Sequence, residues 1–460
     1  LHRKPSFQLE VDMPPLLGST GDSAKAWGFS VSTAIIADGT YYINTLGATS
    51  QSCTFNHGSV DSNMVPYLTG YNSGANRAIH WKSSANGLTI AWQSAVPVNG
   101  YRGTISQIST DGTTLYSYFN DRLFKVNTST GLATGGRIIT VANLAADGCA
   151  TSPANLYVCS TSTVSGAAVI WKFDMSGTPA VTWSKFYQDS TPSTNPTVMY
   201  GIAKKESGAL FASGSYGPAA TAFGFVTKIS DTDGSAVWLR RHSISGGTTF
   251  RYNRCCTDSS GNVYLAGQYI TTALGNNFLM VKVDTNGTIQ WSAVLNSGTT
   301  SIADIALSCC MSADESSVFF VGNSASNATL LINVSAATGT VNWQRQITNS
   351  GLNFLESAKV FADSSTVTIM GAFAVGSARR HGVFALPADG SKTGAYTSTG
   401  TTIFNWEYTV ANMNYAPVTL SVSTNNWGGN ANANATSSAA STANTVTATN
   451  YTQTSSVAIT

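Results

Sequence analysis

The chain has 460 residues, of which 42% are hydrophobic and 10% charged, with a formal net charge of +2. That hydrophobic content supports a folded core. The charge content lies well below the roughly 25% of an average soluble domain, so hydroxyl and amide side chains must supply the solubility. Near-neutrality without a basic block argues against a nucleic-acid surface, and no apolar run reaches the ~18 residues of a membrane-spanning helix.

In chain order, residues 1–24, with Pro14 and Pro15, read as an extended N-terminal arm. The opening LHRKPSFQLEV lacks the apolar stretch of a secretory leader. From 25 to 397 the chain repeats a two-part unit. Its first part is a turn followed by a β-rich strand: DGTYYINTLG (38–47), DGTTLYSYF (111–119), SPANLYVCS (152–160), ESGALFASGSY (206–216), DSSGNVYLAGQY (258–269), DESSVFFVGNS (314–324) and DSSTVTIMGAF (363–373).

The second part is a strand end, a glycine turn and, in five copies, a tryptophan. KSSANGLTIAW (82–92), KFDMSGTPAVTW (172–183), KISDTDGSAVW (228–238), KVDTNGTIQW (282–291) and NVSAATGTVNW (333–343) carry the tryptophan. KVNTSTGLATGG (125–136) and LPADGSKTGAY (386–396) lack it. The turn glycines Gly87, Gly131, Gly177, Gly234, Gly287, Gly339 and Gly390 are spaced by 44, 46, 57, 53, 52 and 51 residues. Strand residues alternate with period two, as around Phe278, Met280 and Lys282, and no segment keeps a helical period.

Seven units of four strands predict an all-β fold, a seven-bladed β-propeller of four-stranded antiparallel blades. Trp92, Trp183, Trp238, Trp291 and Trp343 are expected between blades, because five tryptophans at one repeat position mean packing. Beyond Glu407 no charged residue occurs. Residues 398–460 are expected to form an uncharged C-terminal arm or small β appendage, with alternation at 418–424, 446–452 and 457–460.

Candidate chemistry is sparse. Asp284-Thr-Asn-Gly resembles a calcium loop, but in the other copies the acid drifts to Ser83, Asn127 or Ser335 while the glycine persists. A hairpin needs the glycine, whereas a metal needs the oxygens. Of 22 acidic residues, half fall at repeat turns, with Asp38, Asp111, Asp147, Asp258, Asp314 and Asp363 at the first turn. Asp304 and Glu356 fall outside that pattern, entering innermost strands, as do Arg102, Tyr200, Arg251 and Asn253. These six are the candidate binding set at the rim of the central channel. No catalytic residues, metal ligands or cofactor site emerge, and the five histidines are scattered. Cys149 and Cys159 flank one hairpin and are placed for a cross-strand disulfide. Cys255–Cys256 and Cys309–Cys310 are expected to be buried thiol pairs on equivalent strands.

The repeat resembles the SBBP-type β-propeller repeats of bacterial surface proteins and bacteriophage virion proteins. Gly261 to Gly267, Phe278 to Lys282 and Asp284-x-x-Gly287-x-x-x-Trp291 carry the likeness, which covers about 25–397. It implies the fold and an extracellular or virion-surface setting, with no shared catalytic site. A partial likeness to the tryptophan-docking repeats of quinoproteins runs through Thr338-Gly339-x-x-x-Trp343.

The expected function is that of a non-enzymatic structural or attachment protein of an extracellular assembly, foremost a bacteriophage tail fibre, tail tip or capsid decoration. Its partners would be other virion or surface proteins, copies of itself, or a host-surface glycan. The alternatives are a secreted bacterial propeller binding glycan or protein and, ranked last, a quinoprotein-like or glycan-cleaving enzyme.

Overall fold

The computed structural model describes residues 29–35, 42–48, 53–72, 77–83, 90–96, 103–119, 122–138, 143–162, 167–177, 179–187, 197–204, 208–218, 222–244, 249–271, 275–295, 304–324, 328–349, 355–375, 378–397, 407–412, 418–419 and 422–426. Among these, every regular element is a strand, and the strands form seven antiparallel sheets. The all-β, seven-bladed propeller follows.

The innermost strands of blades one to seven are Cys53–Val60, Gly103–Ile108, Asn143–Ser152, Thr197–Ala203, Thr249–Thr257, Ile305–Met311 and Leu355–Ala362. They neighbour one another in a closed circle. Blades one to six each add their next three strands in sequence order, as in Val263–Thr271, Gly275–Val283 and Ile289–Leu295 of blade five.

Blade seven takes only three strands from its own repeat, ending at Ala378–Pro387, and its fourth position is filled by Tyr42–Ala48 from the N-terminal end. Phe29–Ile35 pairs outside that strand. The chain thus closes the ring by joining its two ends. This corrects the expected place of 38–47: the described part of that copy is the outer strand of blade seven, not a strand of blade one. The first turn of blade one is Asp61-Ser-Asn-Met64, with Asp61 Oδ1 accepting the N–H groups of Asn63 (2.9 Å) and Val65 (3.0 Å). It has no glycine, since Met64 itself adopts the left-handed conformation at φ 59°, and so it escapes a search for Asp/Gly turns.

Burial explains the composition of the strands. Neighbouring blades cover both faces of the second strand, and Ala209–Tyr216 is buried along its whole length. A strand buried on two faces reads as a continuous apolar and small-residue run. Each of the seven innermost strands also carries one register shift or more, as between Phe55 and His57, Ala145 and Asp147, and Tyr252 and Arg254. These β-bulges re-aim the following side chains. They also account for a repeated glycine: a Cβ on Gly214, Gly267 or Gly322 would fall on the carbonyl of Val198, Arg251 or Ile305 in the adjacent bulged strand.

The tryptophans close the gaps between blades. In four of them the Nε1–H donates to a carbonyl in the last turn of the next blade: Trp92 to Thr128 (2.7 Å), Trp183 to Asp231 (3.1 Å), Trp238 to Thr285 (2.9 Å) and Trp291 to Ala336 (3.2 Å). Lys82, Lys172 and Lys282 bond the same carbonyls as their blade's tryptophan. The indole lies where a side chain on the turn glycine would go, so a Cβ on Gly131, Gly234, Gly339 or Gly390 would approach Trp92, Trp183, Trp291 or Trp343 within 2.6–2.7 Å. Blade two has no tryptophan at this place, and a Cβ on Gly177 of blade three would meet nothing within 4 Å.

Three short strands from the C-terminal part lie on outer blade edges. Glu407–Asn412 pairs with blade six, Val418–Thr419 with blade five and Val422–Asn426 with blade four. Glu407–Asn412 also carries Gly394–Thr397 on its far side. The remaining alternating segments, 446–452 and 457–460, lie outside the described residues, as does the expected arm 1–24.

Candidate functional site

The innermost strands bring five blades together on one carboxylate. Asp147, in the innermost strand of blade three, follows that strand's bulge and is fully buried. Its Oδ1 lies 2.6 Å from His57 Nε2 of blade one and 2.6 Å from Lys359 Nζ of blade seven. Its Oδ2 accepts the Ile202 N–H of blade four at 3.1 Å and lies 3.6 Å from Arg254 Nε of blade five. Gly201 lets the backbones of blades four and five approach here, since a Cβ on it would sit 2.7 Å from Arg254 Cα.

The electrostatics follow from this geometry. Burial alone would raise the Asp147 pKa, but Lys359, Arg254 and the His57 hydrogen bond outweigh it and hold the carboxyl well below the usual range. Burial, helped by the Lys359 cation, pushes His57 down to about 4 against the pull of Asp147. His57 is therefore neutral at ordinary pH, and its Nε2–H donates to the carboxylate. Chemically the cluster is an ionic knot in which one anion satisfies two cations and ties the centre of the disc.

Two other buried histidines bridge blades. His80 Nε2 lies 2.6 Å from Ser117 Oγ of blade two. That hydroxyl donates to the Ile105 carbonyl at 3.1 Å, so the histidine supplies the proton of the first bond. His242 Nδ1 of blade four meets Tyr252 Oη of blade five at 2.6 Å. Burial pushes both imidazoles down to about 3.

The expected rim residues separate into two groups. Tyr200 is the bulge residue of blade four, and the Arg251 guanidinium of blade five stacks 5.7 Å from its ring centre. The Tyr200 carbonyl accepts from Arg254 Nη1, which links this pair to the ionic knot. Asn253, the bulge residue of blade five, donates from Nδ2 to the Ala306 carbonyl of blade six at 2.7 Å. Asp304 is fully buried, with its N–H donating to the Asn276 carbonyl. Glu356 occupies the bulge of blade seven; its side chain, and the whole of Arg102, lie outside the described residues.

The structure corrects two sequence readings. Asp147 is not a turn residue, because blade three's first turn lies between Ser152 and Asn155. The Asp-Gly dipeptide 147–148 imitates the turn motif, and no signal in the local sequence separates the two. Cys149 and Cys159 are free thiols, and their register partners are Tyr157 and Asp147, so they do not face each other across the hairpin.

At the turns, carboxylates cap backbone. Asp284 Oδ1 accepts the N–H groups of Asn286 and Thr288 at 2.9 Å each, and Oδ2 accepts Gln290 Nε2 at 3.0 Å. Asp174, Asp233, Asp314, Asp363 and Asp389 each cap the residue two positions on. Among the described residues, no three His, Cys, Asp or Glu side chains are placed to share a metal ion.

This geometry defines a tryptophan-clamped propeller with an ionically tied channel. The chain belongs to the family whose model is described as outer membrane protein assembly factor BamB, a PQQ-type repeat family, matched over 102–393 and again over 222–457. No curated protein matches the chain significantly. Among solved structures it is similar to the β-propeller domain of Myceliophteria thermophila Cps50 (Swd1), at 9% identity and a TM-score of 0.44, covering 74% of this chain and 98% of that one. It is also similar to Kluyveromyces lactis Hsv2, at 10% identity and a TM-score of 0.41, covering 70% and 93%.

Proposed function

We propose that the protein is a non-catalytic propeller serving as a rigid binding or assembly platform in an extracellular assembly, with a virion surface as the foremost setting. The observation that carries this reading is the engagement of Asp147. Both its oxygens are taken by Lys359, His57, Arg254 and the Ile202 N–H, so this central carboxylate acts as a tie between blades. A general base needs a free lone pair within reach of a substrate proton. The low charge content and the capping role of the turn carboxylates support the same reading. The family description, an outer membrane protein assembly factor, also fits a platform. An SBBP-type surface repeat is the finer identity that we attach to it.

A second reading has its own observation. Arg251 stacked on Tyr200 next to the ionic knot offers a cation and an aromatic face, the groups that recognise an anionic sugar.

Cross-linking mass spectrometry on the native particle or cell surface tests the platform. Cross-links from the outer strands or loops to another extracellular protein, or to a second copy, are expected. A solitary chain that turns over a polysaccharide would overturn it. Binding of uronic-acid oligosaccharides that is lost in R251A would select the second reading.

A further inference from the structure

Cys255, Cys256, Cys309 and Cys310 lie on the innermost strands of blades five and six. Successive side chains of a strand point to opposite faces, so the members of each adjacent pair part company. Cys255 packs toward blade four, its Sγ 3.9 Å from the Phe211 carbonyl. Cys256 turns the other way, into the cluster between blades five and six that contains Tyr264, Phe320 and Ile332. Cys310 packs in the next cluster, toward Val360 and Ile369 of blade seven.

Cys309 faces back. It belongs to the same cluster as Cys256, and its Sγ lies 3.4 Å from the carbonyl of Tyr264. Tyr264 is the register partner of Cys256. The two thiols therefore meet at one level of the interface, in one cluster between the blades. Both are free thiols in this structure, with Cys309 buried and Cys256 partly so.

We propose that Cys256 and Cys309 form a cross-blade dithiol that a disulfide-bearing oxidant converts to a covalent staple between blades five and six. The more accessible Cys256 loses its proton and attacks a sulfur of the oxidant, displacing one thiolate and giving a mixed disulfide. Cys309 then loses its proton, attacks the Cys256 sulfur and displaces the second thiolate. Two S–H bonds and the oxidant's S–S bond are exchanged for one protein S–S bond and two oxidant thiols. The adjacent pairs 255–256 and 309–310 are excluded as partners because their sulfurs sit on opposite sheet faces. The proposal does not depend on the platform reading.

The test uses the folded full-length chain, incubated with oxidised glutathione, alkylated, digested and mapped by mass spectrometry. One intramolecular disulfide is expected in the wild type, C255S and C310S, and none in C256S or C309S. Dithiothreitol should reverse it, and the oxidised wild type should melt at a higher temperature than the reduced one. A link between adjacent cysteines would overturn the proposal, as would a glutathione adduct on Cys256 that never closes. So would a folded wild type that keeps every thiol while the urea-unfolded chain oxidises. The wild-type map decides the matter even if C256S or C309S fails to fold.

Discussion

Replacing Asp147 by asparagine removes one charge and almost no volume, leaving Lys359 and Arg254 without their anion. At an effective dielectric of about 20, the 2.6 Å contact to Lys359 represents about 6 kcal/mol of gross attraction, and the 3.6 Å contact to Arg254 about 5 kcal/mol. Most of this repays desolvation, since Asp147, Lys359 and Arg254 are only 1%, 13% and 16% exposed. Removing one partner of such a buried set strands the others, at a cost of about 3–5 kcal/mol. That is a large share of the roughly 5–15 kcal/mol by which domains are stable. The urea midpoint, read by tryptophan fluorescence, should therefore fall substantially in D147N. The double variant D147N/K359M should recover part of the loss, with a coupling of about 2 kcal/mol or more. A D147N stability within about 1 kcal/mol of wild type, or strictly additive effects of the two substitutions, would refute the ionic knot.

The pH dependence follows from the histidines. His57 sits at about 4 in the fold against 6.5 ordinarily, so between those values the unfolded chain binds more protons and stability falls as pH drops. That difference corresponds to roughly 3 kcal/mol. His80, at about 3, acts in the same direction, and H80Q should flatten the slope of stability against pH between 6.5 and 4. An unchanged slope would place the titration elsewhere. Asp147, held below its ordinary value, adds a further loss only at more acidic pH. At the tryptophan clamps, G339A places a Cβ 2.7 Å from Trp291 Cδ2 on a backbone with φ +75°. It should cost at least about 2 kcal/mol and shift the tryptophan emission. The matched change G177A, with open space at the Cβ, should stay within about 0.5 kcal/mol.

The repeat was legible because its strongest demands are local and recur at each blade. A turn that needs left-handed backbone selects glycine, as at Gly287 with φ +85°. An indole lodged against that glycine selects tryptophan. Where the local demand is met by another residue, the pattern fails. Met64 occupies the left-handed position of blade one, and the Asp-Gly-Thr of 38–40 offered itself in its place. Similarly, Asp284 resembles a metal ligand until its oxygens are seen accepting hydrogen bonds from its own turn.

The channel was less legible. Tyr200, Arg251 and Asn253 stood out because they enter their repeats at places similar to Asp304 and Glu356, the acids outside the turn pattern, and the structure does stack Arg251 on Tyr200. Asp147 reads as a turn residue because its neighbour is glycine. Its partners His57 and Lys359 lie 90 and 212 residues away in sequence, and no local pattern joins them. The bulges were invisible as well, although the glycines that accommodate them are part of the motif.

By itself, then, the sequence determined the number of blades, the turn chemistry and the docking of one blade on the next, because those contacts are set by residues at fixed places in each repeat. Only the tertiary structure decided how the ring closes, which side chains meet at its centre and which of the adjacent thiols face each other. Ring closure joins segments more than 300 residues apart, the bulges change which way a side chain points, and the pleat separates neighbours. None of these is a property of a short stretch of chain.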